Sequence, residues 1–174
     1  MAQIEFAAGL RPGSGGLYRH FSSKQHVLEA GVREQFGRQR ELFAFIDAPD
    51  ALAALALQDR LETVARAALA RLASERDLNR IVLRDLEQFP ELLEFVRTEE
   101  MQRIQAMLAH WLSAQSDSAQ VLDWDAVASV LMGSVSHFWL LRDVMGTHPA
   151  GLEEERFVST LAEVAARMLE PAAT

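Results

Sequence analysis

The apolar residues of this chain recur at the spacing of an α-helix, and this periodicity constrains the fold more than any other feature of the sequence. The period of 3.6 residues is clearest over residues 51–73, 90–115, 123–145 and 152–170. No run alternates apolar and polar residues in the way that a half-buried strand does. We therefore predict an all-α fold in which each helix buries one apolar stripe.

Breakers and capping residues predict where the helices begin and end. Ser22 or Ser23 is placed to cap a long helix that begins at Lys24 and continues to about residue 46, and Asp123 is placed to cap a later one. Pro90 suits a first helical turn, where its missing N–H costs nothing. Shorter helices are predicted over residues 1–9, 15–21 and 77–89. The helix over 90–115 has a predicted apolar stripe of Leu93, Val96, Met101, Ile104, Met107, Leu108, Trp111 and Leu112.

The composition is that of a globular protein with a core of its own. With 174 residues, of which 49% are hydrophobic, the chain is one domain or a small module joined to one core. No segment reaches the roughly 20 uninterrupted apolar residues of a membrane span, and no secretory signal pattern is visible. The sequence has no cysteine, which excludes disulfides and thiolate metal sites. We expect a cytoplasmic protein without a membrane partner.

The net charge of −8 is unevenly distributed along the chain. Residues 1–43 contain six Lys and Arg residues against four acidic residues, a balance of +2, so the remaining residues carry −10. The positively charged residues 1–43 attract a polyanion such as DNA, and the negatively charged remainder of the chain repels it. Any contact with nucleic acid is therefore expected at the N-terminal end.

The stretch from Gly9 to Lys24 carries the most informative motif. A glycine-rich turn precedes the short segment L-Y-R-H-F, and S-S-K then opens a much longer helix. A short helix on a turn, followed by a cation at the start of the next helix, is how a helix-turn-helix is laid against a DNA groove. The Lys24 ammonium beside the free N–H groups of a helix N-terminus suits a phosphate oxygen. The structural alternative is that Tyr18 and His20 only cover a helix edge.

This motif resembles the second half of a TetR-family DNA-binding domain. Residues 4–24 resemble the family pattern I-A-x-x-A-G-V, a short glycine turn, then L-Y-x-H-F-x-S-K. They depart from it in a longer turn and in Glu5, which stands where the family prefers a small apolar residue. The resemblance implies that Tyr18 and Lys24 contact phosphate and that His20 contacts the DNA backbone or a base. Arg11, Ser14 and Arg19 are further candidates for a contact with a base or with the DNA backbone.

The first helix of the family's DNA-binding domain has no counterpart in this sequence. In the three-helix module, that helix covers the apolar faces of Ile4, Leu17, Phe21 and Leu28. Either an N-terminal segment precedes these residues in the full-length protein, or the gene product is shortened and its DNA binding impaired. We expect the former. Residues 1–46 are then a partial helix-turn-helix domain with its connecting helix, and residues 47–174 are a helical domain for effector binding and dimerisation.

The predicted second domain also resembles TetR-like regulators, through V-L-R-D-L-E-Q-F-P-E-L at 82–92 and V-L-M-G-S-V-S-H-F-W-L-L at 130–141. The last two helices of such domains form the four-helix bundle of a homodimer. Ser129, Gly133 and Ser136 share one helix face, and a mid-helix glycine, which costs about 1 kcal/mol relative to alanine, is explained by close approach of a partner helix. Packing against a helix of the same chain is the alternative. From the last helix, the predicted interface takes Phe157, Leu161, Val164 and Met168.

Bulky apolar and aromatic residues suggest a pocket for a small apolar or amphipathic effector. The candidates are Arg84 as an anion anchor, and Phe89, Met107, His110, Trp111, His137, Phe138 and Trp139. Such residues more often belong to a plain core, which is the alternative for each of them. His110 and His137 lack the spacing of a metal site, so neither a metal nor a cofactor is predicted. His26 and His148 are expected to face solvent.

An enzyme is not expected, because the sequence contains no G-x-S-x-G motif, phosphate-binding P-loop or dinucleotide fingerprint. Glu99 and Arg103 lie at helical spacing, but charged helix faces are usually solvated. The predicted function is that of a ligand-responsive transcriptional regulator, a repressor that acts as a homodimer on a palindromic double-stranded DNA operator. The alternative is a shortened family member that dimerises and binds a small apolar ligand without binding DNA.

Overall fold

The computed structural model describes residues 19–38, 46, 52–85, 88–116 and 122–169. All regular secondary structure within these ranges is helical, which confirms the predicted all-α class. The chain divides into two compact units, Met1–Arg38 and Gln39–Thr174. The predicted domain boundary after residue 46 therefore lies inside the second unit. The helices predicted over residues 1–9 and 15–21 fall outside the described residues, apart from the last three positions.

The described part of the first unit is helix α1, Lys24–Arg38, and the turn before it. Ser23 caps this helix, because its Oγ accepts a 3.0 Å hydrogen bond from the backbone N–H of His26. The His26 ring meets the Phe21 ring edge-on, with 5.6 Å between centroids. Val32 on α1 is 2% exposed. The predicted continuation of this helix to about residue 46 crosses residues 39–45, which are not among those described.

The second unit contains six helices and two π-helical turns within the described residues. They are α2 (Leu57–Ser74), α3 (Arg76–Asp85), α4 (Pro90–Phe95), a first π turn (Val96–Met101), α5 (Gln102–Gln115), α6 (Trp124–Trp139), a second π turn (Leu140–Val144) and α7 (Glu154–Leu169). Pro90 occupies the first turn of α4, as predicted. Asp123 caps α6, as predicted, by accepting a 3.0 Å hydrogen bond from the N–H of Ala126.

Helices α2, α5, α6 and α7 supply the core of the second unit. One buried cluster comprises Ile46, Leu61, Val64, Ala109, Trp111, Leu112, Val127, Ala128, Leu131, Ala162, Ala165, Ala166 and Leu169. A second comprises Ala65, Leu69, Val135, Phe138, Trp139 and Val158. Helices α2, α6 and α7 contribute side chains to both clusters, so the burial of their apolar faces against one another holds these helices together.

The predicted helix over 51–73 begins later than its apolar spacing indicated, at Leu57. Residues 52–54 form a turn, in which the N–H of Leu55 donates to the carbonyl of Leu52 over 3.0 Å. The Arg60 guanidinium donates 2.8 Å hydrogen bonds to the carbonyls of Leu55 and Ala53. Those carbonyls are satisfied by a side chain instead of by the next helical turn, which fixes the later start.

The helix predicted over 77–89 was too long at its C-terminal end. Helix α3 ends at Asp85, and Phe89 adopts a non-helical conformation with φ −128° and ψ 77°. Phe89 precedes Pro90, whose ring disfavours the α region for the preceding residue. At the other end of the unit, the helix predicted to begin near Leu152 begins at Glu154.

The first π turn overturns part of the predicted apolar stripe of residues 90–115. A π turn closes with a hydrogen bond between residues five apart, here from the N–H of Gln102 to the carbonyl of Arg97, and so it rotates the buried face. Leu93 and Met101, predicted to be buried, are 41% and 58% exposed. The buried side chains at this end are Leu92, Val96 and Glu100.

Candidate nucleic-acid interface and effector site

The predicted DNA contacts lie in and before the turn that opens α1. Arg19 and His20 are exposed immediately before the helix, and Lys24 is its first residue. The first turn of α1 contains no acidic residue. A helix N-terminus carries partial positive charge and free N–H groups, so this one suits an anion such as phosphate. The other predicted contacts, at positions Arg11, Ser14 and Tyr18, lie outside the described residues.

The predicted pocket residues do not form one group. Phe138 and Trp139 are buried in the second core cluster, whereas Trp111 and the half-buried Met107 belong to the first. Phe89 is half-buried before α4, and His110 and His137 are exposed. Arg84 lies in α3. Among the described side chains, the predicted pocket residues that belong to a core cluster are therefore divided between two such clusters, with Phe138 and Trp139 both buried in the second.

Phe138 is the centre of an aromatic and cationic cluster. Its ring stacks on Phe157 with 4.2 Å between centroids and 7° between planes. The Arg142 guanidinium lies 5.3 Å from the Phe138 centroid, within the range of a cation–π contact. The His148 ring lies 5.8 Å from Phe138 and is half-buried, so this side chain, which was predicted to face solvent, does so only in part.

Two further details complete this cluster. A hydrogen bond from Arg142 to Glu154 raises the pKa of the guanidinium and keeps it charged. The indole Nε1 of Trp139, which is 3% exposed, has no hydrogen-bond partner among the described residues. A buried N–H without an acceptor is costly, and such groups often face a bound water or ligand.

A buried ionic network joins the end of α2 to the first π turn. Arg71 Nε lies 3.2 Å from Glu75 Oε1, and Arg71 Nη2 lies 3.3 Å from Glu100 Oε2. Arg103 Nη2 also lies 3.3 Å from Glu100 Oε2. Arg71, Glu75 and Glu100 are 6%, 3% and 2% exposed. The network therefore places two carboxylates and two guanidinium groups at the edge of the helical core.

Burial raises the pKa of Glu75, and the positive charge of Arg71 opposes this effect. Glu100 adds to the increase through its negative charge. Two polar atoms of the network, Glu100 Oε1 and Arg103 Nε, are buried and have no hydrogen-bond partner among the described residues. A polar ligand or an ordered water is the usual partner of such atoms.

Helical periodicity does not predict this network. An unbroken period of 3.6 residues gives Glu99 and Arg103 a solvated face, and the π turn interrupts that period. One indication was present in the sequence: Leu92, Val96 and Glu100 are spaced four residues apart, so a carboxylate continues an apolar column. A buried charge is retained only where it is paired, and that column points to such a pair.

The predicted dimer contacts are partly on the surface and partly in the core. Ser129, Gly133 and Ser136 are exposed on α6, and a Cβ added at Gly133 would meet no atom within 4 Å. Val164 and Met168 of α7 are 50% and 38% exposed. Phe157 and Leu161 are half-buried and pack against the second core cluster of the same chain.

No helix in the described ranges is both long enough and apolar enough to cross a membrane. Within the same ranges, no group of three or more His, Asp or Glu side chains is placed to hold a metal ion.

Residues 59–170 match the family model described as AefR-like transcriptional repressor, C-terminal domain, which is of the TetR type. The match covers more than half of the chain and includes most of α2 and all of α3 to α7. No curated protein and no solved structure gives a significant match. The match lies outside Ile4–Lys24, so a different part of the chain confirms the family predicted from that motif. The chain therefore belongs to the TetR family of transcriptional regulators, and its larger unit contains a C-terminal domain of the AefR-like repressor type.

Proposed function

We propose that this protein is a ligand-responsive repressor that binds a palindromic DNA operator as a homodimer. The family match over residues 59–170 carries the proposal, because TetR-type regulators pair such a domain with a DNA-binding head. A repressor of this kind binds DNA in one state and releases it when an effector binds the other state more tightly. The proposal therefore has three separable parts: DNA binding, dimerisation and effector binding.

DNA binding is assigned to the turn before α1 and to the N-terminus of that helix. The exposed Arg19 and His20, the absence of acidic residues in the first turn and the position of Lys24 support this assignment. Of the two domains predicted from the sequence, the N-terminal one holds the excess of positive charge. Tyr18 is a proposed contact from its place in the family motif, and Arg11 and Ser14 are proposed contacts from the sequence of the turn alone.

The test of DNA binding is an electrophoretic mobility shift with the DNA upstream of the protein's own gene, at two salt concentrations. Phosphate contacts release counterions, so affinity should fall steeply as salt rises. Lys24→Ala should weaken binding about equally on all sequences and lower the salt slope by about one. Arg156→Ala removes one exposed positive charge in the larger unit and serves as the matched control. If the full-length protein has no salt-sensitive affinity for this DNA, the repressor proposal is wrong.

Dimerisation is assigned to the exposed faces of α6 and α7. Val130, Val164 and Met168 leave 62%, 50% and 38% of their surfaces exposed, and the small residue Gly133 permits close approach of a partner helix. An operator with two half-sites about 34–36 Å apart requires two reading heads. Val164→Glu should shift the protein from dimer to monomer in analytical ultracentrifugation. Leu93→Glu, at a similarly exposed site on α4, should leave the dimer intact.

Effector binding is assigned to the interior of the larger unit. Phe138 and Trp139 are the predicted pocket residues best placed for it, since they are buried together and the Trp139 Nε1 lacks a partner among the described residues. His110 and His137 are exposed and lie outside the site proposed here. A thermal-shift screen of small apolar compounds tests this part, with Trp139→Phe as the variant that removes the N–H donor together with part of the buried ring. A hit whose stabilisation is unchanged by Trp139→Phe removes that donor from the site.

A further inference from the structure

Glu100 uses only one of its two carboxylate oxygens within the ionic network. Oε2 lies 3.3 Å from both Arg71 Nη2 and Arg103 Nη2. Oε1 is buried and has no hydrogen-bond partner among the described residues. An ionised oxygen removed from water without a donor is among the costliest of unmade hydrogen bonds. The site therefore calls for a hydrogen-bond donor at Oε1.

Arg103 presents the complementary requirement beside it. Its Nε is buried without a partner in the described part of the chain, while its Nη2 bonds to the neighbouring Glu100. The side chain of Arg103 is 33% exposed, so it extends from the interior towards solvent. A donor and an acceptor without partners thus lie on two side chains that are hydrogen-bonded to each other, and one of these side chains, Arg103, is partly exposed to solvent.

The charges of the network select an uncharged partner. The side chains of Arg71 and Arg103 balance those of Glu75 and Glu100, so a cationic or anionic ligand group would leave an uncompensated charge in a buried site. A carbonyl or an ether only accepts hydrogen bonds. A hydroxyl both donates to one atom and accepts from another, which meets the two requirements with a single uncharged group.

The local backbone supports a functional role for this site. Glu100 lies in the π turn Val96–Met101, between α4 and α5. Single π turns inside α-helices are uncommon and are frequent at functional sites. The column that leads to Glu100 consists of Leu92 and Val96, which are 1% and 5% exposed, so the polar pair adjoins apolar side chains of the core.

We propose that Glu100 and Arg103 form the polar end of the effector site and select an uncharged apolar ligand that carries a hydroxyl group. The ligand hydroxyl donates to Glu100 Oε1 and accepts from Arg103 Nε. This proposal rests on the effector binding proposed above and names the chemical class of the ligand.

The test uses four probes with the same number of heavy atoms: 1-phenylethanol, acetophenone, 1-phenylethylammonium and benzoate. Their affinities for the full-length protein are measured by ligand-detected NMR titration. A hydrogen bond to a charged group makes roughly a tenfold difference in affinity or more. The alcohol should therefore bind at least about tenfold more tightly than the ketone, the ammonium or the carboxylate.

Glu100→Gln distinguishes recognition from a purely structural role. The arginines attract the amide oxygen, so the variant presents an N–H₂ donor where the wild type presents Oε1. The preference for alcohol over ketone should then disappear or reverse. Glu99→Gln makes the same change at the neighbouring, exposed position and should retain the preference. If Glu100→Gln does not fold, the ratio of the two affinities in the wild type decides alone.

No saturable binding of 1-phenylethanol, equal affinity for alcohol and ketone, or tighter binding of either charged probe overturns the proposal. So does a preference that Glu100→Gln leaves unchanged. The mobility shift without any probe tests DNA binding independently. Failure of the repressor function is therefore distinguishable from failure of this site.

Discussion

Replacing Arg71 by methionine should destabilise the protein severely, because it leaves two buried carboxylates without their shared cation. Arg71 is 6% exposed, and it pairs with Glu75 and Glu100, which are 3% and 2% exposed. Methionine keeps an unbranched side chain with good helix propensity, so the change removes mainly the charge and its hydrogen bonds. Removing one partner of a buried ion pair costs about 3–5 kcal/mol.

This magnitude can be measured by urea unfolding followed by circular dichroism. A domain of this kind has a free energy of unfolding of about 5–15 kcal/mol, so the expected loss is a large fraction of the total. With a slope of about 2 kcal/mol per molar of urea, the midpoint should fall by about 2 M. The slope itself should stay the same, since the folded and unfolded states keep their exposed areas.

Arg66→Met is the matched control, on the same helix and with two carboxylate partners as well. Arg66 pairs with Glu62 at 3.3 Å and with Glu155 at 2.7 Å, but its side chain is 39% exposed. Water and salt screen such pairs, so its midpoint should stay near that of the wild type. If Arg71→Met is no more destabilised than Arg66→Met, burial does not make the ion pairs of Arg71 more stabilising than the exposed pairs of Arg66. A deficit that is undiminished below pH 4.5, where the raised pKa of Glu75 leaves that carboxyl group uncharged, would also refute the reasoning.

Three further variants test the core, the titration of the network and a helix cap. Phe138→Ala should lower the free energy of unfolding by about 3–5 kcal/mol, because Phe138 is 1% exposed and stacks on Phe157; a loss below about 1 kcal/mol in urea unfolding would contradict this. The pKa of Glu75 is raised above 4.5 by burial, so its contribution to stability is full below pH 4.5 and is lost as the pH rises through the folded-state pKa. Glu75→Gln should therefore gain stability relative to the wild type between pH 4.5 and 7, and a relative loss over that range would argue against the raised pKa. Asp123→Ala removes the cap bond to Ala126 and should cost about 1 kcal/mol, most of which Asp123→Asn should restore.

The fold class and several helix ends could be predicted from the sequence because they depend on local chemistry. Pro90 and Asp123 act within one turn of their own position, and the structure places both where predicted. The start of α2 could not be predicted in this way. It depends on Arg60, whose guanidinium reaches back to the carbonyl of Ala53, seven residues earlier.

The candidate effector site was predicted less well, because burial depends on helix register. The π turn Val96–Met101 rotates the buried face, so Leu93 and Met101 became exposed and Glu100 became buried. Helical periodicity assumes a constant 3.6 residues per turn and has no means of registering such an insertion. Residue type did not predict the burial of the histidines either. The half-buried His148 contacts the Phe138 ring, whereas His137, which precedes Phe138 in the sequence, is exposed.

Helix α2 is the element through which a ligand at the network can act on the rest of the larger unit. Arg71 and Leu69 lie two residues apart on it, so one end of α2 bonds to Glu100 while its apolar face packs in the cluster of Phe138. A ligand hydroxyl that donates to Glu100 changes how strongly this carboxylate attracts Arg71 without adding charge, and tightly packed helices respond to such a change by shifting between discrete arrangements. For this shift to alter DNA affinity, the ligand must bind the two arrangements with different affinities. The coupling then has a measurable consequence. The factor by which the ligand lowers DNA affinity must equal the ratio of the ligand affinities of the free and the DNA-bound protein, and Glu100→Gln should change both by the same amount.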